Sequence, residues 1–131
     1  MRKINTVCII DDDPLFVFGT KRIMELVGFC NQFMVFKDGL EASNSLKKEI
    51  SEGHPLPDII FVDLNMPVMD GWQFLDEMET VLHGGGTVIY VVSSSIDPKD
   101  MIRLRDHKFI HGHIGKPITI EKIKELALSL Q

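Results

Sequence analysis

A short apolar run that ends at an acidic residue constrains the fold of this chain most strongly. Residues 59–62 read IIFV without polar alternation, which is typical of a strand covered on both faces in a parallel sheet. Asp63 comes at once after it, at the carboxyl end of the predicted strand, where open α/β sheets bind their ligands. Pro67 then turns the chain, and a third helix is predicted from Gly71 to about Leu82. Alone, Asp63 could be an ordinary loop residue, so its role depends on which residues end the other strands.

Length and composition place the chain among ordinary globular proteins. Its 131 residues suffice for one domain with its own core, so we expect residues 1–131 to form a single domain without an attached output domain. The apolar content of 44% and the charged content of 25% are typical of soluble proteins. The net charge is -5 and no basic run exceeds a pair of residues, which argues against nucleic-acid binding.

Cysteine usage and the N-terminal sequence indicate a reducing environment. Cys8 and Cys30 both lie in apolar stretches, and we expect buried free thiols because disulfide frameworks are typical of small secreted domains. Aspartates at 11–13 come directly after the first apolar run, which excludes a secretory signal, and no apolar run reaches the length of a membrane span. We therefore expect a cytoplasmic protein with no membrane partner.

Four further apolar runs predict strands, and amphipathic segments between them predict helices. The predicted strands are residues 4–10, 33–36, 59–62, 87–92 and 109–114. The predicted helices are residues 14–27, 39–50, 71–82 and 99–106, with a last helix after Thr119. Five strands that alternate with five helices favour an α/β domain, because right-handed crossovers place helices on both faces of a parallel sheet. We predict a flavodoxin-like, doubly wound sheet of strand order 2-1-3-4-5.

Local signals mark the ends of two of these helices. Asp13 and Pro14 suit the start of the first helix, where the carboxylate caps free backbone N–H groups, and Gly28 suits its end. Asp38 with Glu41 three residues later resembles a capping box at the start of the second helix.

The first and last helices each carry one apolar stripe at helical spacing that we expect to be buried. The stripes are Phe16, Thr20, Ile23 and Val27 in the first helix, and Ile120, Ile123, Ala127 and Leu130 in the last. Phe18 and Leu128 fall outside these stripes. Both are therefore expected to be exposed, and both are candidates for contact with partner proteins.

Polar side chains come after four of the five predicted strands. Asp11 and Asp12 lie after the first strand, Asp63 after the third, Ser93 after the fourth and Lys116 after the fifth. In the predicted order the first and third strands are neighbours, about 5 Å apart, so the three aspartates should face one another. Because the carboxyl ends of parallel strands meet at one edge of a sheet, we expect all five side chains to converge.

This set of side chains suits phosphoryl transfer assisted by a divalent cation. Three neighbouring carboxylates repel one another unless a cation or a proton is bound, and oxygen ligands without clustered Cys or His favour Mg²⁺, with Ca²⁺ second. A carboxylate such as Asp63 can attack phosphorus and form an acyl phosphate. The ammonium of Lys116 and the hydroxyl of Ser93 could then stabilise the charge on the phosphoryl oxygens.

Four motifs, in this order and spacing, resemble the receiver domains of two-component response regulators along the whole chain. The motifs are IIDDDP at residues 9–14, VDLNMPVMDG at 62–71, VVSSS at 91–95 and GKP at 115–117. The second motif is highly specific for the family. The resemblance implies a chemotaxis-regulator-like single receiver domain that acts as a switch in a two-component system or phosphorelay.

The resemblance also implies roles for the acidic residues. Asp63 would accept a phosphoryl group from the phosphohistidine of a sensor histidine kinase or a histidine phosphotransfer protein. Asp12 would bind Mg²⁺ directly, Asp11 would help through a bound water, and Asn65 would contribute its backbone carbonyl. The chain would catalyse its own phosphorylation and slow dephosphorylation without being a conventional enzyme.

Two residues are implied to transmit the signal. Ser93, where Thr is commonest in the family, would bind the phosphoryl group with Lys116 and shift on activation. His113 occupies the fifth-strand position where many members carry Tyr or Phe, which puts that part of the switch in doubt. The face of the fourth helix, fifth strand and fifth helix would report the state to an unidentified downstream protein and is a candidate dimer interface.

Two other functions remain open from sequence. The chain could be a binding module that keeps the fold but signals without phosphorylation, although Asp12, Asp63, Ser93 and Lys116 argue against it. It could also be a Mg²⁺-dependent phosphohydrolase with an aspartyl nucleophile. Such enzymes usually need a second Asp two residues later, and that position holds Asn65, which cannot act as an acid or base.

Overall fold

The computed structural model describes residues 4–130 and contains a five-stranded parallel sheet with helices on both faces. Residues 1–3 and 131 of the predicted domain lie outside the described residues. The strands are β1 (Thr6–Ile10), β2 (Gln32–Phe36), β3 (Ile59–Asp63), β4 (Val88–Ser93) and β5 (Gly112–Gly115). The helices are α1 (Pro14–Val27), α2 (Gly39–Ser51), α3 (Gly71–Gly84), α4 (Pro98–Asp106) and α5 (Ile120–Ser129). The strand order β2-β1-β3-β4-β5 confirms the predicted flavodoxin-like fold.

Two apolar layers, one on each face of the sheet, form the core. Successive side chains of a strand point to opposite faces, so β1 and β3 contribute to both layers. The layer under α2 and α3 includes Cys8, Ile10, Ala42, Leu46, Ile60, Val62, Phe74, Leu75, Met78 and Val91. The layer under α1 and α5 includes Val7, Ile9, Met24, Ile59, Phe61, Val92, Ile114, Ile123 and Leu126. Burial of each large apolar side chain contributes roughly 1.5–3 kcal/mol to folding.

Within residues 4–130, no helix has the length and apolar character needed to cross a membrane.

Both cysteines are free thiols, as predicted, but only Cys8 is buried. Cys8 is fully buried in the layer under α2 and α3, and burial raises the pKa of its thiol far above the ordinary value. Cys30 is half-buried, and burial raises the pKa of its thiol to about 11. Both thiols are therefore protonated at neutral pH and poor nucleophiles.

The last strand begins later than predicted. The apolar character of Phe109 and Ile110 led to a predicted strand over residues 109–114, but β5 covers Gly112–Gly115. Phe109 is buried while lying in a turn, and the N–H of Ile110 donates to the carbonyl of His107 at 3.0 Å. Burial of an apolar residue therefore did not indicate a strand at this position.

Most predicted helix ends are confirmed. Asp13 caps α1, and Gly28 ends it with a left-handed φ of 70°. Asp38 caps α2 by accepting from the N–H of Glu41, but the Glu41 carboxylate accepts from Lys37 and not from Asp38. The predicted capping box was therefore wrong for Glu41, because its carboxylate accepts from the backbone N–H of the residue before the N-cap and not from that of the N-cap itself.

The buried stripes differ in detail from the sequence pattern. In α1 the fully buried residues are Thr20 and Met24, and in α5 they are Ile123 and Leu126. The other predicted stripe residues, Phe16, Ile23, Val27, Ile120, Ala127 and Leu130, are partly buried. Leu128 is exposed, as is Phe18, which confirms both predictions.

Strand register brings the polar strand ends to one edge of the sheet. Ile10 of β1 pairs with Val62 of β3, so the next residues, Asp11 and Asp63, stand at the same level. On the other side of β3, Ser93 of β4 pairs with Gly115, one residue before Lys116.

Candidate functional site

Three aspartates form a compact cluster at the carboxyl edge of the sheet. Asp11, Asp12 and Asp63 each offer a carboxylate oxygen, and these oxygens lie within 4.8 Å of one another. Asp11 and Asp63 are only 3% and 5% exposed, whereas Asp12 is exposed. The part of the cluster next to the sheet is therefore buried, and the part at Asp12 is open to solvent.

Asp11 is held by the start of α1 and by Lys116. Its Oδ1 accepts a hydrogen bond from the N–H of Asp13 at 2.9 Å. Its Oδ2 is buried and accepts no hydrogen bond of good geometry from residues 4–130, but it forms an ion pair with Nζ of Lys116 at 2.7 Å. The ammonium thus balances charge on an oxygen that is otherwise unsatisfied.

Asp63 ends β3 between the same ammonium and the loop after the strand. Its Oδ1 accepts from the N–H of Asn65 at 3.3 Å, and its Oδ2 lies 3.4 Å from Nζ of Lys116. The ammonium is closer to Asp11 than to Asp63. The Asp63 carboxylate is therefore the less tightly held of the two.

Burial and like charge make this site electrostatically costly. Burial raises the pKa of Asp11, and its hydrogen bonds and the charge of Lys116 offset only part of that rise. Burial, followed by the charge of Asp11, also raises the pKa of Asp63. For Lys116, burial alone would lower the pKa, but Asp11 and Asp63 outweigh burial and the pKa is raised. Lys116 stays charged at neutral pH, and its single ammonium faces two carboxyl groups whose charged forms are disfavoured by burial.

The donor set fits a hard divalent cation. Three carboxylates converge, one buried oxygen lacks a hydrogen bond within the described residues, and a single ammonium opposes them. Mg²⁺ prefers such oxygen ligands and commonly retains several waters, which the exposure of Asp12 would permit. The N–H of Asn65 contacts Asp63, and the predicted role of its carbonyl stays a prediction.

A second group of potential ligands lies at the end of α2. Glu49, Glu52 and His54 also bring ligand atoms within 4.8 Å of one another. Glu52 and His54 are exposed, and His54 already pairs with Glu49 at 2.8 Å. This group lacks the buried carboxylates of the aspartate cluster, which makes it a suitable control for cation binding.

The loop after β3 folds tightly against Asp63. The N–H of Gly71 donates to the carbonyl of Leu64 at 3.1 Å. A Cβ at position 71 would lie 2.3 Å from the Asp63 carbonyl oxygen, so only glycine fits there. Val68 has a φ of 69°, which is unusual for a β-branched residue and strains the loop.

Ser93 and His113 form a hydrogen-bonded pair beside the cluster. The buried Ser93 hydroxyl donates to the carbonyl of Ser95 at 2.9 Å, and its oxygen lies 3.1 Å from Nε2 of His113. Because the single hydroxyl proton is used for Ser95, the imidazole must donate from Nε2. Burial lowers the pKa of His113, which favours the neutral ring. The hydroxyl is thus oriented toward its own loop.

One residue at the site was not predicted from the sequence. Nζ of Lys116 lies 4.5 Å from the centroid of the Phe16 ring. The sequence placed Phe16 correctly on the inner face of α1, but an aromatic residue at helical spacing carries no signal that distinguishes a core position from contact with an ammonium.

The helix α4 is attached to α3 by polar and aromatic contacts. None of its residues is buried. The indole N–H of Trp72 donates to Asp100 at 3.0 Å, and the guanidinium of Arg103 lies 4.7 Å from the Trp72 ring centroid. His107 and Arg103 both contact Asp76, at 3.2 and 3.3 Å. These contacts, and not a deep apolar face, fix the position of α4.

Comparison with known proteins agrees with this geometry. A family profile described as "Response regulator receiver domain" matches residues 7–128. Probable methanogenesis regulatory protein FilR2 of Methanothrix harundinacea is 22% identical over 118 residues, which cover 90% of this chain and 76% of that protein. Nitrate/nitrite response regulator protein NarL of Escherichia coli is 29% identical over 92 residues, which cover 68% of this chain and 38% of NarL.

The fold also matches solved structures. A two-component response regulator from Cytophaga hutchinsonii is 26% identical and superposes with a TM-score of 0.84, covering 98% of this chain and 99% of that one. Because the profile spans most of the sequence and the strand order agrees with the fold, the chain belongs to the response regulator receiver domain family of two-component signalling, whose function is phosphorylation-dependent switching.

Proposed function

We propose that residues 1–131 act as one phosphorylation-dependent switch in which Asp63 accepts the phosphoryl group. The observation that carries this proposal is the position of the Asp63 carboxylate at the edge of the sheet, within 4.8 Å of two other carboxylates and 3.4 Å from an ammonium. A carboxylate oxygen of Asp63 attacks phosphorus, the new O–P bond forms, and the N–P bond of a phosphohistidine breaks. The leaving imidazole keeps the electron pair and takes a proton from solvent.

Mg²⁺ is the proposed cofactor of this site. Asp11, Asp12 and Asp63, with the backbone carbonyl of Asn65, would hold it. When bound, the cation would neutralise part of the charge on the carboxylates and on the phosphoryl oxygens. The fit is supported by the convergent carboxylates and by the buried Oδ2 of Asp11, which has an ion pair with Lys116 but no hydrogen bond of good geometry within residues 4–130.

Lys116 and Ser93 are the proposed ligands of the phosphoryl group. Lys116 already lies beside Asp63, so its ammonium can stabilise the transferring group without a large movement. Ser93 must first release the carbonyl of Ser95, because its hydroxyl proton is occupied there. Phosphorylation adds roughly one to two negative charges, which gives the hydroxyl a stronger acceptor than a backbone carbonyl.

This release is the proposed origin of the signal. When the Ser93 hydroxyl turns to the phosphoryl group, its hydrogen bond to the carbonyl of Ser95 is lost. The Ser93 oxygen also accepts from Nε2 of His113, so the imidazole must reorient to keep that hydrogen bond. Ser95 lies in the loop that leads into α4, whose few contacts with the core make it easy to displace. His113 thereby takes part in the switch through its ring N–H, at the position where many family members carry Tyr or Phe.

Two surfaces are proposed for partner proteins. On α1, Leu15, Phe18 and Leu26 are 81%, 72% and 66% exposed, and the helix begins at the aspartate cluster, so this surface suits a sensor histidine kinase or histidine phosphotransfer protein as donor. On the face of α4, β5 and α5, Ile102 and Leu128 are exposed. That face suits a downstream protein or a second copy of the chain.

Two alternatives are less well supported. A receiver-like module without phosphorylation would not need a charged cluster that burial makes costly. A phosphohydrolase would need an acid or base near the nucleophile to cleave the acyl phosphate. Asn65 offers neither, and it contacts Asp63 through its backbone N–H.

Incubation with Mg²⁺ and acetyl phosphate, followed by intact-mass measurement, separates the three functions. We expect a gain of one phosphoryl group that is lost in Asp63→Asn and blocked by a chelator. Asp106→Asn, an exposed site on α4, is the matched control and should retain the gain. No gain under any condition would support the non-phosphorylated module, and rapid turnover of phosphate monoesters would support the phosphohydrolase.

A further inference from the structure

The ammonium of Lys116 has an aromatic neighbour in addition to its two carboxylates. Nζ lies 4.5 Å from the centroid of the Phe16 ring, within the range of a cation–π interaction. The Lys116 side chain is 16% exposed, so solvent screens this contact only in part. The ring therefore meets the same ammonium that contacts Asp11 and Asp63.

The Phe16 ring is anchored by α1 and by the core. Asp13 caps the helix and accepts from the N–H of Phe16 at 3.4 Å, and Pro14 fixes the first helical residue. The half-buried ring packs against the apolar layer under α1 and α5. Its position is thus set by the cap of α1 and by the apolar layer.

We propose that Phe16 is a positioning residue for Lys116, whose ring holds the ammonium beside the Asp63 carboxylate during phosphoryl transfer. Asp11 and Asp63 are shared between Lys116 and any cation bound to the aspartate cluster. The ring carries no net charge and is not a ligand for a hard cation. It is therefore the contact of Lys116 that persists when the carboxylates turn to other partners.

This inference rests on the proposed function, and phosphorylation kinetics give its first test. With acetyl phosphate and Mg²⁺, Phe16→Leu and Phe16→Met should each lower the rate constant of phosphorylation about three- to tenfold. Phe16→Tyr keeps an aromatic face and should restore a rate within about twofold of wild type. Two aliphatic variants are used because either could destabilise α1, and their melting temperatures are measured in parallel.

Phe33→Leu is the matched control. Phe33 is also half-buried in the same apolar layer and lies under a lysine, with Nζ of Lys21 at 5.4 Å from its ring centroid. It lies on β2, away from the phosphoacceptor strand β3. Phe33→Leu should phosphorylate at the wild-type rate even if it loses stability. Wild-type rates in folded Phe16→Leu and Phe16→Met would overturn the proposal, as would an equal loss of rate in Phe33→Leu.

A spectroscopic measurement separates failure of this inference from failure of the proposed function. In the metal-free protein, NMR should find the ε-methylene protons of Lys116 shifted upfield by the Phe16 ring current. The shift should vanish in Phe16→Leu and return in Phe16→Tyr. If the wild type takes up no phosphoryl group, the proposed function fails, while these shifts still decide the contact. If the shift persists in Phe16→Leu, the ring does not hold the ammonium and the inference is wrong.

Discussion

The ammonium of Lys116 lies 2.7 Å from Oδ2 of Asp11, a buried oxygen that accepts no well-formed hydrogen bond from residues 4–130. This pair joins the end of β1 to the residue after β5 across the edge of the sheet. Its importance comes from burial, because an unpaired buried charge costs far more than an exposed one.

Lys116→Met should therefore destabilise the metal-free protein at pH 7 by about 2 kcal/mol, measured by urea unfolding. The loss in free energy of unfolding should become smaller toward pH 4, because protonation of Asp11 and Asp63 removes the negative charge that Lys116 balances. Lys122→Met removes a more exposed lysine paired with Glu125 and should cost less than about 0.5 kcal/mol. Equal losses in the two variants would contradict this account of the site.

Asp63→Asn should stabilise the metal-free protein at neutral pH. Burial and the charge of Asp11 raise the pKa of Asp63 in the folded state, so folding favours the protonated carboxyl. The stability that the protonated form contributes is present below the unfolded pKa and is lost as the pH rises through the folded pKa. The variant should thus melt higher than wild type at pH 7, and the difference should narrow as the pH approaches 4. A lower melting temperature for the variant at pH 7 would show that the buried charge is well compensated.

Mg²⁺ should raise the melting temperature of the wild type by mass action, contributing about 2.7 kcal/mol at a concentration of 100 times its dissociation constant. Asp12→Asn should lose most of this stabilisation, because Asp12 is the solvent-facing carboxylate of the cluster. Glu49→Gln alters the other group of potential ligands and should keep the full effect. The reverse pattern in these two variants would place the cation at the end of α2.

Trp72→Phe should loosen α4 more than it loosens the core of the domain. The substitution keeps an aromatic ring near Arg103 but removes the N–H that donates to Asp100. Loss of about 1 kcal/mol from this hydrogen bond should speed hydrogen exchange of the α4 amides roughly fivefold. Trp72 also packs in the layer under α2 and α3, so amides of β1 and β3 should exchange faster as well, but by a smaller factor. Equal acceleration in α4 and in those strands would mean that lost core packing, and not the hydrogen bond, dominates the effect.

Much of the fold could be predicted because the buried strands are nearly continuous apolar runs. The run at residues 59–62 gave β3 almost to the residue, and Gly28 marked the end of α1. The start of β5 could not be predicted in the same way. Phe109 is apolar and buried like a strand residue, but it lies in a turn whose hydrogen bonds depend on His107, and apolar character alone does not distinguish the two.

The sequence predicted the positions of site residues that follow from strand order. It did not predict the contacts that individual side chains make within the site. Asp11, Asp12 and Asp63 converge as expected, because β1 and β3 are neighbours, and the long side chain of Lys116 reaches Asp11 and Asp63 from the end of β5 at the same edge of the sheet. The donation from Ser93 to Ser95 and the ring of Phe16 over Lys116 depend on rotamers and on the entry angle of α1. No periodicity in the sequence encodes either contact.

The most direct test of the central claim is to locate the phosphoryl group on the chain. After incubation with Mg²⁺ and acetyl phosphate, borohydride reduces an aspartyl phosphate to homoserine, and peptide sequencing by mass spectrometry identifies the residue. We expect homoserine at position 63 and nowhere else. Homoserine at position 11 or 12, or a borohydride-resistant phosphate on Ser93, would contradict it.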